Sequence, residues 1–285
     1  MSDTSNDLTE IKKLISDLPT YPCQVAQDEA SQNLGVLQND VIWMRMASGE
    51  IFPKIQAPRF AIFAAHHGFA LSGPQADILK QDHENRINRI LGGTHSLCGL
   101  AKSLNCDLRL YEMDLQNPTQ DKTQGPAMNE EECAMAMSYG MMSVEEGNDF
   151  LILGSVGAGS QKASLDLIEV INSESDFDSF ELLMKQGGYE IAALCGVMIA
   201  AYLSRKPILI DSLSGIAAAL LMKNVNEHLI TNLACVGLQD SYGLKELSSS
   251  GQAESLCASA GFKLAQLKVL LELLETSEQE YRQSA

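Results

Sequence analysis

Two periodicities alternate along this chain. Residues 7–17 place Leu8, Ile11, Leu14 and Ile15 at helical spacing, with Thr4 and Asp7 available as caps. After an irregular stretch, "VLQNDVIWMRMASG" predicts a second helix. Residues 58–68, "PRFAIFAAHHG", carry the continuous apolar run FAIFAA and end at Gly68. A strand buried on both faces has that pattern, and the loop after such a strand tends to carry function. "QDHENRINRILGGTHSLCGLAKSLN" predicts one or two helices broken at Gly92 and Gly93, and "CDLRLYEMDL" an alternating strand.

The second half repeats the alternation. "GPAMNEEECAMAMSYGMMSVEEG" predicts a helix capped by Asn129, with Glu130, Glu131 and Glu132 in the first turn, where the dipole favours acids. Its methionines suit core packing or an interface. "DFLILGSVGAG" predicts a strand and a glycine loop, and "SFELLMKQGGYEIAALCGVMIAAYLSRK" two helical pieces meeting at Gly187 and Gly188. Within the latter, "IAALCGVMIAAYL" is apolar all round, yet too short to span a bilayer, so it reads as a buried helix. "PILIDS" reads as a strand, "SGIAAALLMKN" as a helix, and "ESLCASAGFKLAQLKVLLELLE" as a long amphipathic helix.

Strands alternating with long helices predict an α/β fold with a parallel sheet. Ligands of such sheets sit beyond the carboxyl ends of the strands, which selects the loops after Ala65, Leu153 and Asp211.

Composition narrows the function. With 285 residues, 45% of them hydrophobic, the chain can bury a sizeable core. A net charge of -17 repels nucleic acid and anionic membrane, so any phosphorylated ligand must be held by local groups. Seven scattered cysteines with no C-x-x-C spacing argue against a zinc ribbon or a disulfide framework. Reduced thiols in a cytoplasmic protein fit better. The polar, acidic N-terminus is unlike a signal peptide. His66 and His67 have no carboxylate or cysteine at ligand spacing, so no metal centre is expected, and His95 reads as a surface helix residue.

The glycine loop lies in "LILGSVGAGSQKAS", residues 151–164. Gly154, Gly157 and Gly159 do not form G-x-G-x-x-G, which argues against a dehydrogenase. On the residues alone, Gly157 and Gly159 fit a tight strand-to-helix turn as well as a phosphate loop. Gly187 and Gly188 fit close helix packing or ligand contact, Asp211 a site acid or a helix cap, and Glu254 a first-turn helix acid.

Taken in order, "FAAHHG", "GG" before a helix, "GPAMNEEE", "LGSVGAG", "GGYEIAALCG" and "PILIDS" resemble segments of the nicotinate-nucleotide–dimethylbenzimidazole phosphoribosyltransferase family, over roughly residues 30–225. The resemblance implies a Rossmann-like α/β domain (31–250) and a small helical subdomain from both chain ends (1–30 and 251–285). It implies a homodimer that needs no cofactor and moves phosphoribose from nicotinate mononucleotide to a benzimidazole-type base, for cobalamin lower-ligand synthesis.

It places Gly157, Gly159, Ser160 and Lys162 on one phosphate element and Gly187, Gly188 and Glu190 on a second, with Asp211 as a strand-end acid. His67 and Ser155 fall in the base pocket, and Ser155 stands where the family has an acid. His66, His67 and Gly68 stand for the family's Asp-His-Gly. Gly251 aligns with a family glycine, Gln252 with the family's catalytic Glu, and Glu254 is the acid that could replace it. The alternative reading is a paralogue that binds a nucleotide as a regulatory or partner subunit.

Overall fold

The run FAIFAA lies at the centre of a parallel five-stranded sheet, ordered β2-β1-β3-β4-β5. The strands are β1 (Pro58–Ala64), β2 (Asp107–Glu112), β3 (Phe150–Val156), β4 (Ile208–Ile210) and β5 (Leu233–Cys235). The computed structural model describes residues 8–21, 38–174, 176–210, 212–236 and 257–284. Thr4 and Asp7, expected as caps, lie outside them.

Alternation within each strand splits the core into two layers. Ala61, Phe63, Leu151, Leu153, Ile208 and Ile210 face one cluster, and Phe60, Ile62, Phe150, Ile152 and Leu209 the other. Both faces being covered, β1 is buried at every position, whereas the edge strand β2 alternates between exposed and half-buried residues. Each fully buried Phe, Leu or Ile contributes roughly 1.5–3 kcal/mol.

The first layer holds α5 (Glu130–Met142), α6 (Ser160–Ser173), α7 (Ser179–Gln186), α8 (Tyr189–Leu203) and α9 (Leu213–Val225), together with α1 (Leu8–Ser16). The second holds α2 (Gln38–Ser48), α3 (Ala76–Leu91), α4 (Ser96–Ser103) and α10 (Ala258–Ser284). The two terminal helices therefore extend opposite layers. Helix α5 starts where its sequence demands. Asn129 accepts from the Glu132 amide at 2.8 Å, and the Glu132 carboxylate accepts from the Asn129 amide at 2.8 Å. Helix α8, apolar all round, is buried between its neighbours as its composition requires.

Two elements add to the sequence reading. Residues 160–173, past the strand-to-helix turn, form α6, and residues 233–235 add a fifth strand. Among the described residues the cysteines form no disulfide, and burial pushes the thiols of Cys106, Cys133 and Cys235 up to about 12, so they stay protonated. No described helix is long and apolar enough to cross a membrane.

Strand order fixes where a ligand can sit. From β1 the chain moves to β2 on one side and then returns to β3 on the other, so the order reverses between β1 and β3. The crevice beyond the carboxyl ends of those two strands is the topological switch point.

Candidate active site

At that switch point the loops after β1 and β3 run on side by side. The Ala65 amide donates to the Val156 carbonyl at 3.1 Å, and the His67 amide to the Ala158 carbonyl at 2.9 Å. The Ala158 amide donates to Nδ1 of His66 at 3.1 Å. Strand β3 reaches Val156, so Gly154 and Ser155 belong to the strand and the turn proper is Gly157 to Gly159.

Both glycines of the turn are needed for close approach. A Cβ on Gly157 would stand 1.5 Å from the Ala65 carbonyl oxygen. Gly159 has φ +89° at the N-cap of α6, and a Cβ there would lie 2.8 Å from the Cβ atoms of both His67 and Ala70. The second glycine element reaches the same place: a Cβ on Gly188 would lie 2.3 Å from Cε1 of His67. The two turns, well separated in sequence, thus meet at one imidazole.

Three helix N-termini converge around it. Ser160 opens α6, Glu190 lies in the first turn of α8, and Ser214 in the first turn of α9. Gly159 and Gly188 offer α6 and α8 no side-chain cap, and the Ser160 amide turns back to the Gly157 carbonyl at 3.3 Å.

The buried side chains form one network. His67 Nε2 and Ser160 Oγ meet the same oxygen of Glu190, Oε1, at 2.8 and 2.7 Å. Ser214 links Ser155 (2.8 Å), Ser164 (3.0 Å) and Ser160 (3.2 Å). Burial alone would raise the Glu190 pKa, but the His67 imidazole and the hydrogen bonds from His67 and Ser160 outweigh it and hold the carboxyl below its usual range. His66 is driven the other way. Burial first, then the nearby His83, lowers its pKa and keeps it neutral, with Nδ1 accepting from Ala158 and Nε2 carrying the proton. Glu190 Oε2, His67 Nδ1 and His66 Nε2 are buried without hydrogen-bond partners.

A further segment closes the rim. Thr119 donates its amide to the His66 carbonyl at 3.3 Å, while Ala127 and Met128 bond to the end of α7. Tyr189 reaches Glu132 at 3.4 Å, and burial together with that carboxylate pushes its phenol up to about 12. Lys162 points elsewhere. It is ion-paired with Asp166, which also holds Lys122 at 2.7 Å, and Lys122 lies over the Phe69 ring.

Of the residues expected from sequence, Ser155, Gly157, Gly159, Ser160, Gly188, Glu190 and His67 come together. Gly187 adjoins them as the last residue of the turn after α7. Asp211, Gly251, Gln252 and Glu254 lie outside the described residues. Ser164 and Ser214 were not singled out from sequence, although Ser214 sits in "DSLSG", directly after a strand. An open recess lined by Pro58, Arg59, Lys102, Asp107 and Asn148 lies at the opposite, amino-terminal ends of β1 and β2 and holds none of these groups. Among the described residues no cluster of three or more His, Cys, Asp or Glu side chains is placed to hold a metal ion.

The chain matches the family model described as DBI_PRT, Phosphoribosyltransferase, over residues 24–175 and 166–248. It is 29% identical over 270 residues to the nicotinate-nucleotide–dimethylbenzimidazole phosphoribosyltransferase of Allorhizobium ampelinum, covering 79% of this chain and 78% of that protein. To the protein of the same name from Agrobacterium fabrum it is 27% identical, covering 79% and 77%. In fold it is similar to the crystal structure of the Thermus thermophilus protein of that name, with TM-score 0.72 and 17% identity over 96% of both chains. These names give the binding-only alternative no support. The family match spans most of the sequence, and the chain belongs to the DBI_PRT phosphoribosyltransferase family.

Proposed function

We propose that this phosphoribosyltransferase moves phosphoribose from nicotinate mononucleotide to a ring nitrogen of a benzimidazole-type base, the step that supplies the lower-ligand nucleotide of cobalamin. The observation that carries the reading is the meeting of two glycine turns at His67, beyond the carboxyl ends of β1 and β3. In such transfers the bond from ribose to the departing pyridine breaks as the acceptor nitrogen approaches, and positive charge builds on the ribose. Fixed negative charge and oriented dipoles stabilise that state without reorganising. The ionised, buried Glu190 supplies the charge, and the N-termini of α6, α8 and α9 supply amides and hydroxyls for a phosphoribosyl ester.

We assign Gly157, Gly159, Ser160, Gly187 and Gly188 to the ester, with Lys162 as an outer cation once it swings from Asp166. Ser155 and His67 border the acceptor base, and Asp211 with Glu190 orients the ribose. Residues 31–250 are read as the catalytic unit and the two chain ends as helical additions to it. Met135, Tyr139 and Met142, 46%, 37% and 69% exposed on one stripe of α5, support a homodimer. Cysteines that form no disulfide among the described residues suit a reducing cytoplasm.

The test is direct. Purified chain incubated with nicotinate mononucleotide and 5,6-dimethylbenzimidazole is expected to release nicotinate and form the ribosylated benzimidazole phosphate, both read by chromatography. If the mononucleotide raises the melting temperature and no nicotinate appears, the transferase reading is wrong.

A further inference from the structure

We propose that His67 is the general base of the transfer, its Nδ1 taking the proton that the acceptor nitrogen loses, with Glu190 as the residue that fixes its tautomer. This inference rests on the transferase reading above. Among the positions where the resemblance expects an acid, Ser155 and Gln252 carry a hydroxyl and an amide, and neither accepts a proton at neutral pH. The carboxylate bonded into the described cluster is Glu190.

The geometry selects which nitrogen acts. An ionised carboxylate only accepts, so the 2.8 Å contact with Glu190 Oε1 puts the proton of His67 on Nε2. In the neutral imidazole the lone pair is then on Nδ1. That atom is buried without a hydrogen-bond partner, on a side chain that is itself 0% exposed. A lone pair sealed in the interior is a standing loss of stability that a bound N–H donor would remove. An acceptor base with one N–H carries such a donor, and the Phe69 ring stands edge-on to the imidazole, 5.6 Å between centroids. After proton transfer the imidazolium would face Glu190, whose charge stabilises it as a carboxylate does in other His–acid pairs.

The step balances. The acceptor N–H bond breaks and its proton goes to His67 Nδ1, the acceptor nitrogen bonds to the anomeric carbon, and the ribose–pyridine bond breaks with its electron pair going to nicotinate. The imidazolium then returns its proton to water as product leaves. The titratable and charged groups around His67 are few. Glu190 faces it from α8, and His66 precedes it, with His83, Glu84 and Lys80 of α3 behind. Lys122, paired with Asp166, lies across Phe69.

Gln at position 67 keeps an N–H for Glu190 but has no basic nitrogen. In the full chain, His67→Gln is expected to lower kcat for dimethylbenzimidazole by about 100-fold or more, with KM for nicotinate mononucleotide within about threefold of wild type. The deficit should shrink with benzimidazoles whose N–H is more acidic, since they need less help from a base. A merely structural role would lower kcat equally for all acceptors, which overturns the inference. An active wild type whose turnover is abolished by Glu254→Gln and untouched by His67→Gln overturns it alone. A wild-type chain that releases no nicotinate removes it together with the transferase reading.

Discussion

Gly157 lies so close to Ala65 that a Cβ on it would stand 1.5 Å from the Ala65 carbonyl oxygen. Neither partner can yield, because the Ala65 amide is bonded to Val156 and both backbones belong to the paired ends of β1 and β3. Gly157→Ala must separate the two loops that present His67 and Ser160. The expected loss is about 3 kcal/mol, near the top of ordinary substitutions. It would appear as a fall in melting temperature of roughly 6–12 °C, with loss of nicotinate release. A melting curve that matches wild type would mean the loops do not run this close.

The acid sensitivity of the fold follows from His66. Its folded pKa is depressed below the ordinary value near 6.5, so the unfolded chain binds the proton more readily. Stability is then full above that value and declines as pH falls through it towards the folded pKa. Glu190, depressed from the usual carboxylate value near 4.5, adds a second loss at lower pH. Melting temperature should therefore fall between about pH 7.5 and 5.5, the window around the ordinary histidine value. In His66→Asn, whose Oδ1 can still accept from the Ala158 amide, that first fall should flatten. An identical slope in both proteins would assign it to another group.

How much of this was written in the chain depends on which physical signal each element uses. The FAIFAA run and the Asn129–Glu132 capping box are local and gave β1 and the start of α5 directly. For α6 the sequence offered only the strand-to-helix turn before it, since Ser160 and Ser164 occupy its inward face beside Ala163, Leu167 and Ile168. Hydroxyls at buried positions blur the apolar stripe, and the partners supplied by Glu190, Ser214 and the Ser160 carbonyl make their burial tolerable. Strand β5, three half-buried residues long, has no pattern to read. At the site, the glycine spacing marked the turn after β3, whereas the meeting of Gly159 and Gly188 at His67 depends on long-range packing that no local signal encodes.

The stripe on α5 predicts self-association. Met135, Tyr139 and Met142 sit at helical spacing on a solvent face, and Tyr139 packs edge-on against Tyr111 of the edge strand. Met142, 69% exposed, packs too little within one subunit to matter for folding. Met142→Lys should therefore leave the melting transition of dilute protein nearly unchanged while shifting the sedimentation mass from dimer to monomer. If the wild-type chain sediments as a monomer at micromolar concentration, the stripe serves another purpose.

Ser214 offers the sharpest probe of the buried network, because its hydroxyl joins three others and touches neither His67 nor Glu190 in any bond found. Removing it leaves Ser155 with a weak 3.4 Å contact to Ser160, while Ser164 keeps its 2.7 Å bond to the Ser160 carbonyl. Ser214→Ala should cost about 1–2 kcal/mol, the desolvation of hydroxyls left short of partners. Ser160→Ala should cost a similar amount, since Glu190 Oε1 then relies on His67 alone. If the serines act as one unit, the double variant loses less than the sum of the singles, by about 0.5 kcal/mol or more. Strict additivity in urea melts of the four proteins would mean that Ser214 stabilises α9 only, and that the path from Ser155 to Glu190 is not energetically connected.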